Sequence, residues 1–175
     1  IGKSPSRWEA WVQIDKGSAD GIEIDQAVVG ATPMASGSVS GKGLVGKVVA
    51  VTEHTAQVQL ITDASASVAA KIQESRAEGI VEGSVSGRLV MDYVDRDITV
   101  EPKRIVVTSG YGGVYPAAIP IGIVSNVGEE DVNIYKEIEV EPMVDFRILE
   151  EVMVLILPDS EVDHGTTATT GSGVE

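Results

Sequence analysis

Apolar and polar residues alternate along most of the chain with a period of two. Trp8, Ala10, Val12 and Ile14 share one side of a strand, while Glu9, Trp11, Gln13 and Asp15 take the other. The same beat returns at Ala56, Val58 and Leu60 against Gln57 and Gln59, and at Val68, Ala70 and Ile72 against Lys71 and Gln73. It returns again at Ile138 and Val140 against Glu137, Glu139 and Glu141. Successive side chains on a strand point to opposite faces, so each segment predicts a strand with one buried and one wetted side. The run 152–157 has no polar side and predicts a strand buried on both faces. Gly, Pro and Ser clusters at 16–21, 36–43, 84–87 and 109–120 interrupt the chain at strand-sized intervals, leaving room for a helical turn only at 64–67 and 146–151. The pattern predicts an all-β chain.

A weak repeat organises those strands. Gly46, Val48, Val51, Glu53 and Val58 are answered by Gly122, Val124, Val127, Glu129 and Ile134, each 76 positions later (122 − 46). Upstream, Asp20, Val28 and Val29 answer Asp97, Ile105 and Val106 with the offset moved by one. A strand-turn-strand unit that occurs twice predicts two small related β-barrels, because each copy must bury its own apolar face. The second half already holds enough strands, so the last strand is expected to return to the first barrel. The expected division is a discontinuous first barrel of 1–63 plus 143–157, with a second barrel of 64–142 inserted before its last strand. The polar, low-complexity stretch 158–175 is expected to be a flexible tail.

Composition narrows the chemistry. Of 175 residues 43% are hydrophobic but only 4% aromatic, so the cores are thin layers of Val, Ile, Leu and Ala. Lys and Arg total 13 against 27 Asp and Glu, a net charge of −14, and a phosphate backbone is held by cations, so no nucleic-acid partner is expected. There is no cysteine, and only His54 and His164 are present, which argues against thiolate chemistry and against a multi-histidine metal centre. No stretch approaches the roughly 20 apolar residues that span a bilayer. The opening at Ile1 reads as a processed or excised product, leaving a signal or anchor upstream open.

Several constellations can be weighed against plain structural readings. His54, an acid such as Asp63 or Asp92, and Ser109 follow the histidine, aspartate, serine order that chymotrypsin-like proteases use on a double barrel. The Gly-Asp-Ser-Gly-Gly setting of their oxyanion hole is absent, and His54 within Thr52-Glu53-His54-Thr55 reads as a hairpin-turn residue. Gly110 to Gly113 lack the following helix or lysine of a phosphate cradle and read as turn glycines. Glu129, Glu130 and Asp131 lack the ligand spacing of a Ca²⁺ loop. No catalytic, cofactor-binding or metal-binding residue is therefore expected. What stands out is apolar exposure: Trp11 on a polar strand face, and Tyr111, Val114 and Tyr115 in a loop, are candidate partner-binding residues, with capping of the barrel ends as the alternative. Free strand edges also invite pairing with another chain.

Specific text carries a resemblance. Gly43-Leu44-Val45-Gly46-Lys47-Val48-Val49 is followed by Val51-Thr52, His54-Thr55 and Leu60-Ile61-Thr62-Asp63. Then come Gly79-Ile80-Val81-Glu82-Gly83, the run 107–116 with Ile119-Pro120-Ile121-Gly122, and finally Lys136 to Pro142 with Asp145-Phe146. In this order the motifs resemble the extracytoplasmic region of the MreC family of bacterial rod shape-determining proteins, over about 8–157. Ala118 departs from the glycine usual before that Ile-Pro. The resemblance implies a non-enzymatic, cofactor-free scaffold of the elongasome, single-pass in the cell membrane, with this region on the periplasmic or cell-wall side. It implies contact with a class B penicillin-binding protein, association with MreD, RodA, RodZ and the MreB system, and self-association into dimers or filaments. The transmembrane helix and coiled coil that precede this region in the family are not in the sequence. A double-barrel serine hydrolase and a peptidoglycan-binding module are the alternatives.

Overall fold

The computed structural model describes residues 2–3, 10–32, 41–75, 77–128 and 134–156. Twelve strands and one short 3₁₀ turn, Ser18–Asp20, make up its regular structure. The strands are β1 (Gly2–Lys3), β2 (Trp11–Ile14), β3 (Ala27–Thr32), β4 (Gly41–Val51), β5 (Ala56–Leu60), β6 (Ser67–Ile72), β7 (Glu78–Gly83), β8 (Leu89–Asp95), β9 (Ile105–Thr108), β10 (Pro120–Val127), β11 (Tyr135–Pro142) and β12 (Val152–Val154). Strands β6 to β11 close into a barrel in the order β10-β11-β8-β7-β6-β9. The others form a curled open sheet, β1-β2-β5-β4-β3-β12. The fold is all-β: two related barrel-like units, the second inserted before the last strand of the first, with the first of them a half-barrel.

The repeat is written in the register. Strands β2-β5-β4-β3 run in the same neighbour order as β8-β11-β10-β9. Val48 pairs with Val58 and Val124 with Val140, and one residue later both hairpins carry a bulge, before Ala50 and before Asn126. The counterpart of Val58 is thus Val140 and not Ile134, because the second hairpin has the longer connection. Likewise Val28 opposes Gly46 and Val106 opposes Gly122, which makes Val106 the partner of Val28. Gly46 and Gly122 are required at these crossings: a Cβ on either would overlap a neighbouring backbone carbonyl, that of Gln59 or of Glu141.

Burial follows the alternation. Val12 and Ile14, Ala56, Val58 and Leu60, Val68, Ala70 and Ile72, and Ile138 and Val140 all point inward. One apolar cluster fills the half-barrel around Val28, Val45, Val48 and Val58. The other fills the closed barrel and takes in Ala27, Leu44 and Ile61 from the first sheet, so the two units share packed surface. Phe146 packs against both clusters.

Four local expectations differ from the structure. The run at 152–157, read as buried on both faces, contributes an edge strand: β12 pairs with β3 alone, and Met153 is 52% and Ile156 58% exposed. Its apolar residues exceed what one neighbour can cover; Leu157 lies outside the described residues. Gly41 and Gly43, grouped with a turn, belong to the eleven-residue β4, while 36–40 are outside the described residues. Positions 64–67 and 146–151 contain turns and no helix. Trp8, Glu129 to Asp131, His164 and the expected tail 158–175 also fall outside the described residues.

Candidate partner-binding surface

The loop between β9 and β10 is built around Thr108. Its hydroxyl is fully buried, donates to the carbonyl of Pro116 and accepts from the Ile119 amide at 2.9 Å. Around it the amide of Thr108 donates to Ile119, that of Ala118 to Thr108, and that of Ser109 to Ala69 on β6, each at 2.9 Å. A single buried hydroxyl thus staples both ends of the loop, and each of its bonds spares a polar group an uncompensated burial. Gly110, Gly112 and Gly113 take positive φ values of 84°, 83° and 73°, which reverse the chain in a small space.

The fastening sorts the candidate residues. Tyr115 turns inward and is only 9% exposed, and Val114 is half-buried against the barrel core. Burial, and then the negative charge of Asp25 in the turn before β3, pushes the Tyr115 phenol up to about 12. The apolar exposure expected of Val114 and Tyr115 is therefore taken up in packing, Tyr115 within the barrel's apolar cluster and Val114 against it. Tyr111 alone of the three is presented to solvent, 86% exposed at the tip. Trp11 is half-buried on β2, opposite Gln59 on the neighbouring strand β5 of the open sheet, and no ring contact among the described residues joins it to the loop.

The residues considered for a hydrolytic triad are not assembled. His54 projects from the β4–β5 turn with Glu53 as its nearest acid at 3.8 Å. Asp63 is buried between β5 and β6, where it accepts from Ala10 N at 2.7 Å, Ser65 N at 2.8 Å, the Ser65 hydroxyl and Gln59 Nε2 at 3.3 Å. Burial works against its charge, but the bonds from Ser65, Ala10 and Gln59 outweigh that and hold the carboxyl below the usual range. Asp63 is a clamp on the connection between the sheets. The Ser109 hydroxyl accepts from Tyr111 N at 3.2 Å. Among the described residues no group of three or more His, Asp or Glu is placed to hold a metal.

Sequence reading missed a second aromatic feature. Tyr93 and Tyr135, both exposed, lie on neighbouring strands with ring centroids 5.6 Å apart at 58°. Tyr93 sits in a bulge with φ 64°, which turns its side chain outward between the buried Met91 and Val94. The signal was the three-residue step from Met91 to Val94, which breaks the alternation begun at Leu89 and Met91.

Comparison with known proteins agrees with this architecture. The family model described as rod shape-determining protein MreC, barrel core, matches residues 1–156. The cell shape-determining protein MreC of Listeria monocytogenes is 35% identical over 172 residues, covering 95% of this chain and 54% of that protein. The chain spans about half or less of the length of such curated relatives. The crystal structure of MreC from Pseudomonas aeruginosa superposes with a TM-score of 0.78 at 27% identity, over 89% of this chain and 95% of that one. A structure described as a complex between penicillin-binding protein PBP2 and MreC from Helicobacter pylori shares the fold, with a TM-score of 0.55 at 19% identity over 73% of this chain and 76% of that one.

Proposed function

The chain belongs to the MreC family of rod shape-determining proteins, and from that premise we propose that it is a scaffold whose barrel surfaces bind and bias a peptidoglycan synthase. The family is one of cell shape-determining structural proteins, not of enzymes. The observation that carries the reading is Tyr111, an aromatic ring held out by a loop whose Val114, Tyr115 and Ile119 are packed and whose base is stapled by Thr108. Large rigid aromatics kept in water at low entropic cost are typical anchors of protein interfaces. The partner we assign is a class B penicillin-binding protein, in line with the complex described for the Helicobacter pylori relative.

A scaffold of this kind activates a synthase only by binding its active conformer more tightly than its inactive one. We place the protein in the elongasome, on the periplasmic or cell-wall side of the cytoplasmic membrane, anchored by a preceding segment, together with MreD, RodA, RodZ and the MreB system and with copies of itself. No helix among the described residues is long and apolar enough to cross a membrane. We read the units as 1–63 with 143–157, and 64–142. The test is titration of the cognate penicillin-binding protein's extracytoplasmic part against this chain and its Tyr111→Ala variant. Binding weakened by more than about 1 kcal/mol supports the loop as an anchor; unchanged binding removes it.

A further inference from the structure

The two units differ at one place, and the repeat shows what is missing there. In the closed barrel β6 pairs beside β9 and β7 beside β8, and five residue pairs between β6 and β7 seal the seam. In the half-barrel β12 occupies the place of β6, beside β3, and β1 that of β7, beside β2. Their described spans are three and two residues, and the described residues show no pairing between them. A groove of about 670 Å³ lies at this seam, between the end of β2 and β12. Its apolar wall is formed by Ile14, Ile22, Val152, Val154 and Ile156.

The chemistry of the rim selects the occupant. Asp15, Asp20, Glu150 and Glu151 line the groove, and Lys16 is already paired with Asp20 at 3.0 Å. A second copy of a chain with net charge −14 is repelled from such a rim. An extended segment that alternates cationic and apolar residues satisfies the edge of β12 through its backbone, the wall through one set of side chains and the rim through the other. We propose that the open seam of the half-barrel receives an extended, basic segment of a partner protein as an added strand against β12. The inference does not depend on the Tyr111 loop or on which synthase the protein serves.

The probe is the peptide acetyl-Lys-Val-Lys-Val-Lys-Val-amide, titrated into the full ¹⁵N-labelled chain at low salt. Amide shifts are expected at 14–22 and 150–156, with new exchange protection in β12. Reversing the exposed carboxylates, Glu150→Lys with Glu151→Lys, is expected to weaken the peptide at least about tenfold. N-methylation of alternate peptide residues, which removes the donors of one edge, is expected to abolish binding. Shifts spread over the acidic surface, or equal binding of the N-methylated peptide, overturn strand addition. Concentration-dependent shifts at 150–156 without peptide make a second copy the occupant, and contacts there from residues beyond 156 make it this chain itself; either overturns the proposal. Penicillin-binding protein binding that persists while the peptide fails separates this result from failure of the scaffold reading.

Discussion

Asp25 and Lys103 hold the same left-handed backbone conformation, φ 68° and 69°, and their amides donate to equivalent carbonyls, Val48 at 2.9 Å and Val124 at 2.8 Å. The next residues close the match, with Val48 N donating to Gln26 O at 3.0 Å and Val124 N to Arg104 O at 2.9 Å. The two corners are backbone devices. Their side chains carry opposite charge, and Asp25 is further tied to Lys47 at 2.7 Å. The duplicated unit therefore survives as a path of the main chain after side-chain likeness has gone.

Lys103 and Ala118 both occupy left-handed positions, φ 69° and 68°, without being glycine. A Cβ there costs about 1–2 kcal/mol, part of which glycine returns through its freer unfolded state. Lys103→Gly and Ala118→Gly are each expected to stabilise the chain by about 0.5–1 kcal/mol, raising the melting temperature by about 2 °C. Thermal unfolding checks this, and a lowered midpoint refutes the strain at that corner.

Gly46→Ala and Gly122→Ala place a methyl group against the backbone of the facing strand. Backbone cannot swing aside as a side chain does, so each is expected to cost about 3 kcal/mol or more, at the severe end of overpacking. Urea midpoints measure it; losses under about 1 kcal/mol show that the hairpins can slide apart freely.

Asp63 makes part of the stability depend on acid. Its folded pKa lies below its unfolded value, so the stabilisation is complete above the ordinary aspartate value of about 3.9 and drains away as pH falls through the lowered folded value. Asp63→Asn is expected to lose about 2 kcal/mol at neutral pH and to flatten the acid limb. Stability curves from pH 7 down to 2 for both chains decide it. An unchanged slope removes Asp63 as the source.

Tyr111 and Tyr115 are four residues apart with opposite expected phenotypes. Tyr115→Ala empties a core position and is expected to cost about 3 kcal/mol of stability, whereas Tyr111→Ala leaves stability within about 0.5 kcal/mol. The raised phenol of Tyr115 adds an alkaline signature. Its contribution is whole below the unfolded value near 10 and is lost as pH rises toward about 12, and Tyr115→Phe removes that loss. Chemical unfolding at pH 7 and at pH 11 tests both statements.

The strands were legible wherever alternation was strict. Val12 and Ile14, Ala56 to Leu60 and Val68 to Ile72 each bury the residues that their period marks. Legibility failed where a contact beyond the local pattern decides the outcome. The apolar run at β12 hides the fact that only β3 lies beside it, and its exposed Met153 follows from topology rather than composition. Val58 and Val140 escaped the repeat because a longer turn precedes the second of them. The loop at 109–119 was visible as punctuation, but Tyr115 is buried in an apolar cluster that includes the sequence-distant Ala27, Leu44 and Ile61, which no local pattern reveals. Tyr93 was hidden because a bulge moves a side chain across a sheet without changing its type.

The return of β12 to β3 sets an order on synthesis. Gly30 leaves the ribosome 122 residues before its partner Val152 (152 − 30), an interval on the order of ten seconds at ordinary elongation rates. All six strands of the closed barrel are made within that wait, in one contiguous stretch from Ser67 to Pro142. The later-encoded unit can therefore finish first, while the outer edge of β3 stands bare in the nascent chain. Chaperone protection, and misassembly when it fails, should concentrate on the N-terminal sheet.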